Sequence, residues 1–425
     1  MAAPPAERAA PSQRWLRLIP IVFVTYSLAY LDRSNFSIAA AGGMASDLGL
    51  TSATSGLVGA SFFLGYFLLQ VPGVLYADRR GVRDLIFYSV LAWGVLATLQ
   101  GLLSSVAALI VVRGLLGAVE AAVLPALVVL LARWFTKAER GRANAFLILG
   151  NPATILWLSA ASGYLVEATS WRGMFIIEGI PALVWAFYFR AQVRDHPRQA
   201  RWLDPAERDA VESAIAAEQT ALRGAPATRR PVAEALRSKL VLVLSAQYLL
   251  WSIGVYGFVF WLPSIVKAGS SAGIGTTGLL SAVPYAFAIA AMLVNSRFSD
   301  RSGLRRRYVW PWLLLGTLAF YGSYLLGKDA FWWSFGLLVI AAIGLYAPYG
   351  PFFALISELL PSRIAGIAVA LVNACGALGG FLGTYLVGWL DHATGGTAAS
   401  FLMLAATMAG SAVVLLAVPR RERTA

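Results

Sequence analysis

The chain has 425 residues, 59% of them hydrophobic and 13% charged, with a mean hydropathy of +0.69. A soluble domain carries about 45–50% apolar and about 25% charged residues, so this composition excludes a water-soluble enzyme. The net charge of +13 suits nucleic acid only if the basic residues share one exposed face, and they do not. A single cysteine, Cys375, and two histidines, His196 and His392, leave no intrachain disulfide and no cysteine or histidine metal cluster. No cofactor is expected.

Spanning about 30 Å of hydrocarbon takes roughly 20 apolar residues. Twelve such stretches are read, near 16–41, 55–76, 85–102, 106–131, 141–166, 172–190, 240–264, 276–298, 308–326, 332–355, 363–389 and 397–418. The expected class is an all-α membrane protein of two six-helix halves, 1–190 and 240–425, joined by a polar segment at 191–239. The first stretch is too long for a signal peptide and carries Asp32 and Arg33, so no removal is expected.

Of the 34 lysines and arginines, all but five lie on the ends and loops of one side. Arg172, Lys267 and Lys328 lie on the other, and Arg33 and Arg113 lie inside helices. The positive-inside rule then places both termini in the cytoplasm. The segment 191–239 mixes acids and bases (Asp204, Glu207, Arg208, Asp209, Glu212) and reads as a surface helix or two.

Two loops repeat. After the second span the chain runs Asp78-Arg79-Arg80-Gly81-Val82-Arg83. After the eighth, 222 residues later, it runs Asp300-Arg301-Ser302-Gly303-Leu304-Arg305. Such a repeat marks a transporter built from two related halves. The glycine permits a turn at positive φ, and the aspartate suits a neighbouring helix N-terminus.

These loops resemble the cytoplasmic signature of the major facilitator superfamily, G-x-x-x-D-R-x-G-R-R. The first glycine is replaced by Val74 and Ser296, and the residue after the second glycine is Val82 or Leu304. Further stretches are similar to the anion:cation symporters within it: Tyr30-Leu31-Asp32-Arg33-Ser34-Asn35, the run from Arg113 through Glu120 to Pro125, Trp134-Phe135, Glu139-Arg140, Trp171 to Pro181, Tyr256 to Pro263, Gly350 to Leu355, and Asn373 to Gly380. The resemblance implies a proton-coupled importer of organic anions such as sugar acids, tartrate or aromatic acids, with a monomer as the default. Thirty arginines against four lysines are similar to the usage of a GC-rich bacterium, hence a bacterial inner membrane.

Charges at membrane depth cost roughly 2.5–3.5 kcal/mol each on insertion scales and are functional by default. Asp32, Arg33, Arg113 and Glu120 are the four of interest. At about 1.5 Å per residue, Asp32 and Arg113 reach comparable depths on antiparallel spans and can pair, in one state of the cycle, if the two helices are neighbours. Arg113 and Glu120 share a face, with Gly117 between them admitting a close neighbour. Arginine presents a fork that fits a carboxylate, and a carboxyl in low dielectric can hold a proton. Arg33 is therefore assigned to the substrate carboxylate, Asp32 and Glu120 to protons, and Arg113 to a switch pairing with Asp32. The family's helix 1 pair and helix 4 acid support these roles. An ion-pair network that merely holds helices together is the structural alternative.

Tyr30, Tyr66, Tyr256 and Asn373 are candidate cavity contacts, as is Asn151, where Asn151-Pro152 is expected to interrupt the fifth span. Tyr30 precedes Asp32 by two and points away from it. Phe353 and Ala377 stand where the resemblance implies a tryptophan and an asparagine, which favours a less polar or aromatic carboxylate over a polyhydroxylated one. Glu178 and Glu358 are placed at or near helix ends, as caps or interface contacts. Gly366, Gly376, Gly379, Gly380 and Gly383 in the eleventh span suit a rocking interface or plain packing. The rivals are an exporter or antiporter of cationic or lipophilic compounds and a non-transporting membrane sensor. No H-E-x-x-H, Walker loop or cysteine–histidine set supports an enzyme.

Overall fold

In the computed structural model, residues 12–223, 231–327, 329–360 and 362–418 are described. The charged residues at 1–11, 224–230 and 419–425, and Lys328, lie outside them.

Twelve helical spans cross the molecule, six before the central segment and six after it. They run Gln13–Asp47, Ser52–Gln70 (its helix continuing to Arg80), Val82–Gln100, Val106–Trp134, Glu139–Ala168, Trp171–Gln192, Lys239–Ser270, Ile274–Ser302, Arg305–Leu326, Phe331–Ile356, Ile367–Thr394 and Ala398–Leu416. They are spans 1 to 12 below. Every expected stretch falls on one of them. Their starts follow from local chemistry, because serine or threonine oxygens take up amides that a helix leaves free. The Thr51 side chain accepts from the Thr54 amide at 3.2 Å, and Ser170 accepts from the Gly173 amide at 3.1 Å. Thr136 and Glu139 form a reciprocal capping box at the start of span 5.

Spans 4 and 10 are each broken at mid-length. Span 4 consists of helices Val106–Glu120 and Val123–Trp134, and span 10 of Phe331–Tyr346 and Tyr349–Leu359. Proline supplies the cause in both: Pro125, Pro348 and Pro351 have no N–H to give the carbonyl four residues back. Span 5 corrects the sequence reading. Its helix runs continuously from Lys137 to Ala168 through Asn151 and Pro152, so the dipeptide does not interrupt it. Neighbouring helices absorb such a proline when they enclose the freed backbone, and Gly150 packs closely on Phe23 and Ser27 of span 1.

The halves meet chiefly where span 2 packs on span 11 and span 5 on span 8. The tight contacts lie at the end of the bundle away from residues 12 and 418, called here the far end. A side chain on Gly163 would meet the Ile274 carbonyl at 2.8 Å, and one on Gly56 the Thr384 carbonyl at 3.0 Å. Phe36 stacks on Phe260 at 5.5 Å, and the Gly275 amide donates to Glu167 at 3.2 Å. At the opposite, loop end, ion pairs join groups within one half, within the central segment, or between the first half and that segment.

The central segment forms the helices Pro205–Arg223 and Pro231–Arg237. The first, with the turn before it, is tied to the loop ends of spans 1, 4 and 5. Arg14 is bonded to Glu139 at 2.7 Å and to Glu207 at 3.0 Å, Arg140 pairs with Glu218 at 2.9 Å, and Trp202 stacks on Trp134 at 5.5 Å. The short second helix packs on spans 11 and 7.

The glycines of span 11 divide between two tasks. Gly376, Gly379 and Gly383 lie against Tyr248, Leu249 and Ile253 of span 7, inside their own half. Gly380 faces Phe63 of span 2, across the halves. Most of that stripe is therefore packing within a half. The surroundings of Gly366 lie outside the described residues.

Candidate functional site

Span 1 brings Tyr30, Asp32, Arg33 and Asn35 to mid-membrane depth. The Arg33 Nε donates to Glu120 Oε2 at 3.2 Å, with 8% of the arginine side chain and 0% of the glutamate exposed. Three rings surround its guanidinium: Tyr66 at 4.4 Å, Tyr30 at 5.1 Å and Phe62 at 5.3 Å. Such faces attract a cation and replace part of the hydration it has lost. Tyr30 does point away from Asp32, but it lies three residues before Arg33, and that spacing shares a helix face.

Gly117 allows this cluster to form. A side chain there would collide with the Phe62 carbonyl, so glycine lets span 2 lie directly on span 4 and carry Phe62 and Tyr66 to the arginines.

Arg113 meets the main chain of Asp32 in this state. Its Nη1 donates to the main-chain carbonyl of Asp32 at 3.2 Å and to Gln100 at 3.4 Å, not to the Asp32 carboxylate. Its guanidinium sits over Phe36 at 4.5 Å and Phe62 at 5.5 Å. Arg33, not Arg113, holds the ion pair.

The Asp32 carboxylate accepts from Asn35 at 3.4 Å, and the same amide donates to Glu178 at 3.0 Å. The other Glu178 oxygen accepts from Ser162 at 2.6 Å. This corrects the placement of Glu178 near a helix end. Its helix begins at Trp171, which puts it about 10 Å deep at about 1.5 Å per residue. Ser162, Gln100 and Phe62 carry no signal in the sequence, whereas Asn35 closes the Tyr30–Asn35 motif. It lies three residues after Asp32, on the same helix face.

Tyr256 joins from the second half, with its ring 4.5 Å from Phe63 and with Arg33 and Tyr30 as polar neighbours. Phe353 belongs instead to an aromatic group of the second half, 5.4 Å from Tyr248 and 6.3 Å from Tyr349. Trp251 lies 4.6 Å from Tyr349, and its indole donates to the Leu345 carbonyl at 3.0 Å. Asn373 stands half-buried on span 11, one turn before Gly376. Asn151 is half-buried on span 5, and its Oδ1 has no hydrogen-bond partner. Neither asparagine contacts the charged cluster among the described bonds. Glu358 accepts from Arg305 at 3.0 Å, an interface contact as expected.

The two repeated loops share a backbone device but not their bonds. Gly81 has φ 104° and Gly303 φ 68°, both in the region that favours glycine. Asp300 pairs with Arg305. At the first loop, the carboxylate on the following helix N-terminus is Asp195, accepting from the Val82 amide at 2.7 Å and the Arg83 amide at 3.1 Å. Asp78 and Arg79 end the helix of span 2, and their side chains lie outside the described ones. Arg301 follows Asp300 and is exposed. Among the described residues no group of three histidine, cysteine or acidic side chains could hold a metal ion.

The comparisons with known proteins agree with this architecture. The chain is 31% identical over 410 residues to the inner membrane transport protein RhmT of Escherichia coli, covering 94% of this chain and 93% of that one. It is 29% identical to a quinolone resistance transporter of Acinetobacter baumannii, over 92% and 91% of the two chains. It is 26% identical to a D-galactonate transporter of Escherichia coli, over 97% and 98%. The fold superposes on the crystal structure of a D-xylose–proton symporter with a TM-score of 0.76 at 14% identity, over 95% and 98%. The Major Facilitator Superfamily matches residues 22–384 and again 271–425, and the chain belongs to that superfamily of multi-pass membrane transporters.

Proposed function

We propose that the protein imports an organic carboxylate together with protons, by alternating access. The observation that carries the reading is the Arg33–Glu120 pair at mid-membrane, 3.2 Å long and ringed by Tyr30, Phe62 and Tyr66. With Glu120 charged, Arg33 is neutralised within the protein. A proton on Glu120 removes that charge and frees the guanidinium for a substrate carboxylate, which its fork fits. Proton and anion then enter together and leave together, because each lowers the cost of the other in low dielectric. Asp32 is the second proton carrier. Arg113 holds the Asp32 backbone in place and exchanges to its carboxylate as the cycle proceeds.

The substrate body lies against the second half, where Tyr256 and the group around Phe353 offer rings rather than amides. This favours an aromatic or sparsely hydroxylated acid, and Asn151 and Asn373 supply polar contacts as the halves move. The halves touch at the far end. With both termini cytoplasmic, in accord with the lysine and arginine distribution, this is the inward-facing state. The setting is a bacterial inner membrane and the unit a monomer. The repeated loops Asp78-Arg79-Arg80-Gly81 and Asp300-Arg301-Ser302-Gly303 act as turning points at the loop end.

A second reading is export of a lipophilic compound, favoured by the aromatic wall and by the name of one relative. Purified protein in vesicles decides between them. Carboxylates are first ranked by thermal shift, and the best is tested for uptake under an inward proton gradient. Accumulation that collapses with the gradient is expected. Stabilisation by a lipophilic cation and by no carboxylate would overturn the reading. Binding of a carboxylate without net flux would indicate a sensor.

A further inference from the structure

Glu178 is the one acid deep in the first half for which the mechanism above has no use. It is 6% exposed and accepts hydrogen bonds from two neutral donors, Asn35 and Ser162. No arginine or lysine is bonded to it among the described residues. Span 3 meets it with neutral groups, Gly179 resting on Thr98. The nearest basic residue on its own helix, Arg172, is paired with Asp47 at 3.3 Å near the far end. Across span 1 its charged neighbour is another acid, Asp32, which also faces Glu120 and Arg113.

The two acids share a single amide. Asn35 Nδ2 lies 3.0 Å from a Glu178 oxygen and 3.4 Å from an Asp32 oxygen, so the carboxyls are no further apart than those two bonds laid end to end. Two carboxylates this close, away from water, cannot both be ionised at low cost. A buried charge is retained only when it is paired and fully hydrogen-bonded. Asn35 carries a further sign. Its Oδ1 is buried with no donor, although such acceptors are nearly always satisfied. A half-turn of the amide would present that oxygen in place of Nδ2, where it can accept from a carboxylic acid O–H. Ser162 can likewise accept as well as donate.

We infer that Glu178 and Asp32 form a proton-sharing carboxyl pair bridged by Asn35, a second proton-binding site separate from the Arg33–Glu120 pair. The inference rests on the reading of Asp32 as a proton carrier. In the one-proton state the charge sits on Asp32, beside Arg113, and the proton on Glu178. When Asp32 receives a proton from the cavity, the pair either holds two or releases the one on Glu178. The proton lost by one oxygen is gained by another or by water, and no other reactant is needed.

The test uses full-length protein carrying Glu178→Gln, which preserves size and most hydrogen bonds. Infrared difference spectra over a pH titration should show a protonated carboxyl band in the parent at neutral pH that is missing in Glu178→Gln. In vesicles, the uptake profile should lose a titrating step on its alkaline side, because the variant no longer carries the proton that Glu178 holds while Asp32 is charged. KM should stay within about twofold, since Glu178 does not contact the substrate. An unchanged band and an unchanged pH profile would overturn the pair and leave Glu178 a packing group. Should Glu178→Gln not fold, Asp32→Asn reads the pair from the other side. The remaining Glu178 band should then titrate at lower pH, and a band that does not move overturns the inference. If no carboxylate is transported at all, the proposed function falls while the infrared result still decides the pair. If uptake is proton-coupled and no such band exists, the pair falls alone.

Discussion

The two halves share a backbone plan and differ in chemistry. Spans 4 and 10 occupy matching places, and each breaks at mid-membrane beside prolines. Around the first break stand Arg33, Arg113, Glu120 and Asp32. Around the second stand Tyr248, Trp251, Tyr349, Phe352 and Phe353, packed ring against ring. The repeat therefore keeps one backbone break in each half while the side chains around it differ, and the proposed function assigns charge movement to the first half and substrate shape to the second.

That division predicts unequal penalties, and the largest should fall in the first half. Arg33→Ala should abolish uptake, and Arg33→Lys should lower kcat/KM by about 100-fold, because an ammonium lacks the planar fork. If Arg33→Lys transports normally, the charged half does not bind the substrate. Glu120→Gln should retain exchange of substrate across the membrane but lose accumulation against a gradient. Accumulation that survives in that variant would remove Glu120 from proton coupling.

In the second half, Phe353→Ala should raise KM by about three- to tenfold for an aromatic acid, with little change for a small aliphatic one. That corresponds to about 1 kcal/mol, as expected for one ring contact. Equal effects on both substrates would show that the aromatic half sets no specificity. The smallest change lies outside both interiors. Asp195→Ala removes the carboxylate from two amides at the start of span 3 and should cost about 1 kcal/mol, read as a lower Tm with KM unchanged.

Much of the site was legible because membrane burial makes charge conspicuous. Asp32, Arg33, Arg113 and Glu120 stand out in any apolar stretch, and the structure draws all four together. Their partners did not stand out. Here Arg33 pairs with Glu120, because span 1 turns Arg33 toward span 4 and leaves the carbonyl of Asp32, not its carboxylate, facing Arg113. Helical spacing within one span is readable, while the rotation of one span against another depends on contacts such as Phe62 on Gly117. Glu178 was misplaced for a related reason. A span boundary uncertain by a few residues moves a group by several ångströms in depth, and the group beneath it, Asn35, is far away in sequence.

Composition and the placement of arginines were enough to determine a twelve-span membrane protein, because hydrocarbon thickness imposes a length on every helix and satisfies none of its polar groups. They also marked the two arginines without a place in the loops. Tertiary structure alone decided that the tight glycine contacts between halves cluster at the far end, that the central segment docks on the first half through Arg14 and Arg140, and that Asn35 joins two acids 143 residues or fewer from it in sequence. Each of these depends on which faces of distant helices meet. That choice is made by packing, and no single helix carries the information.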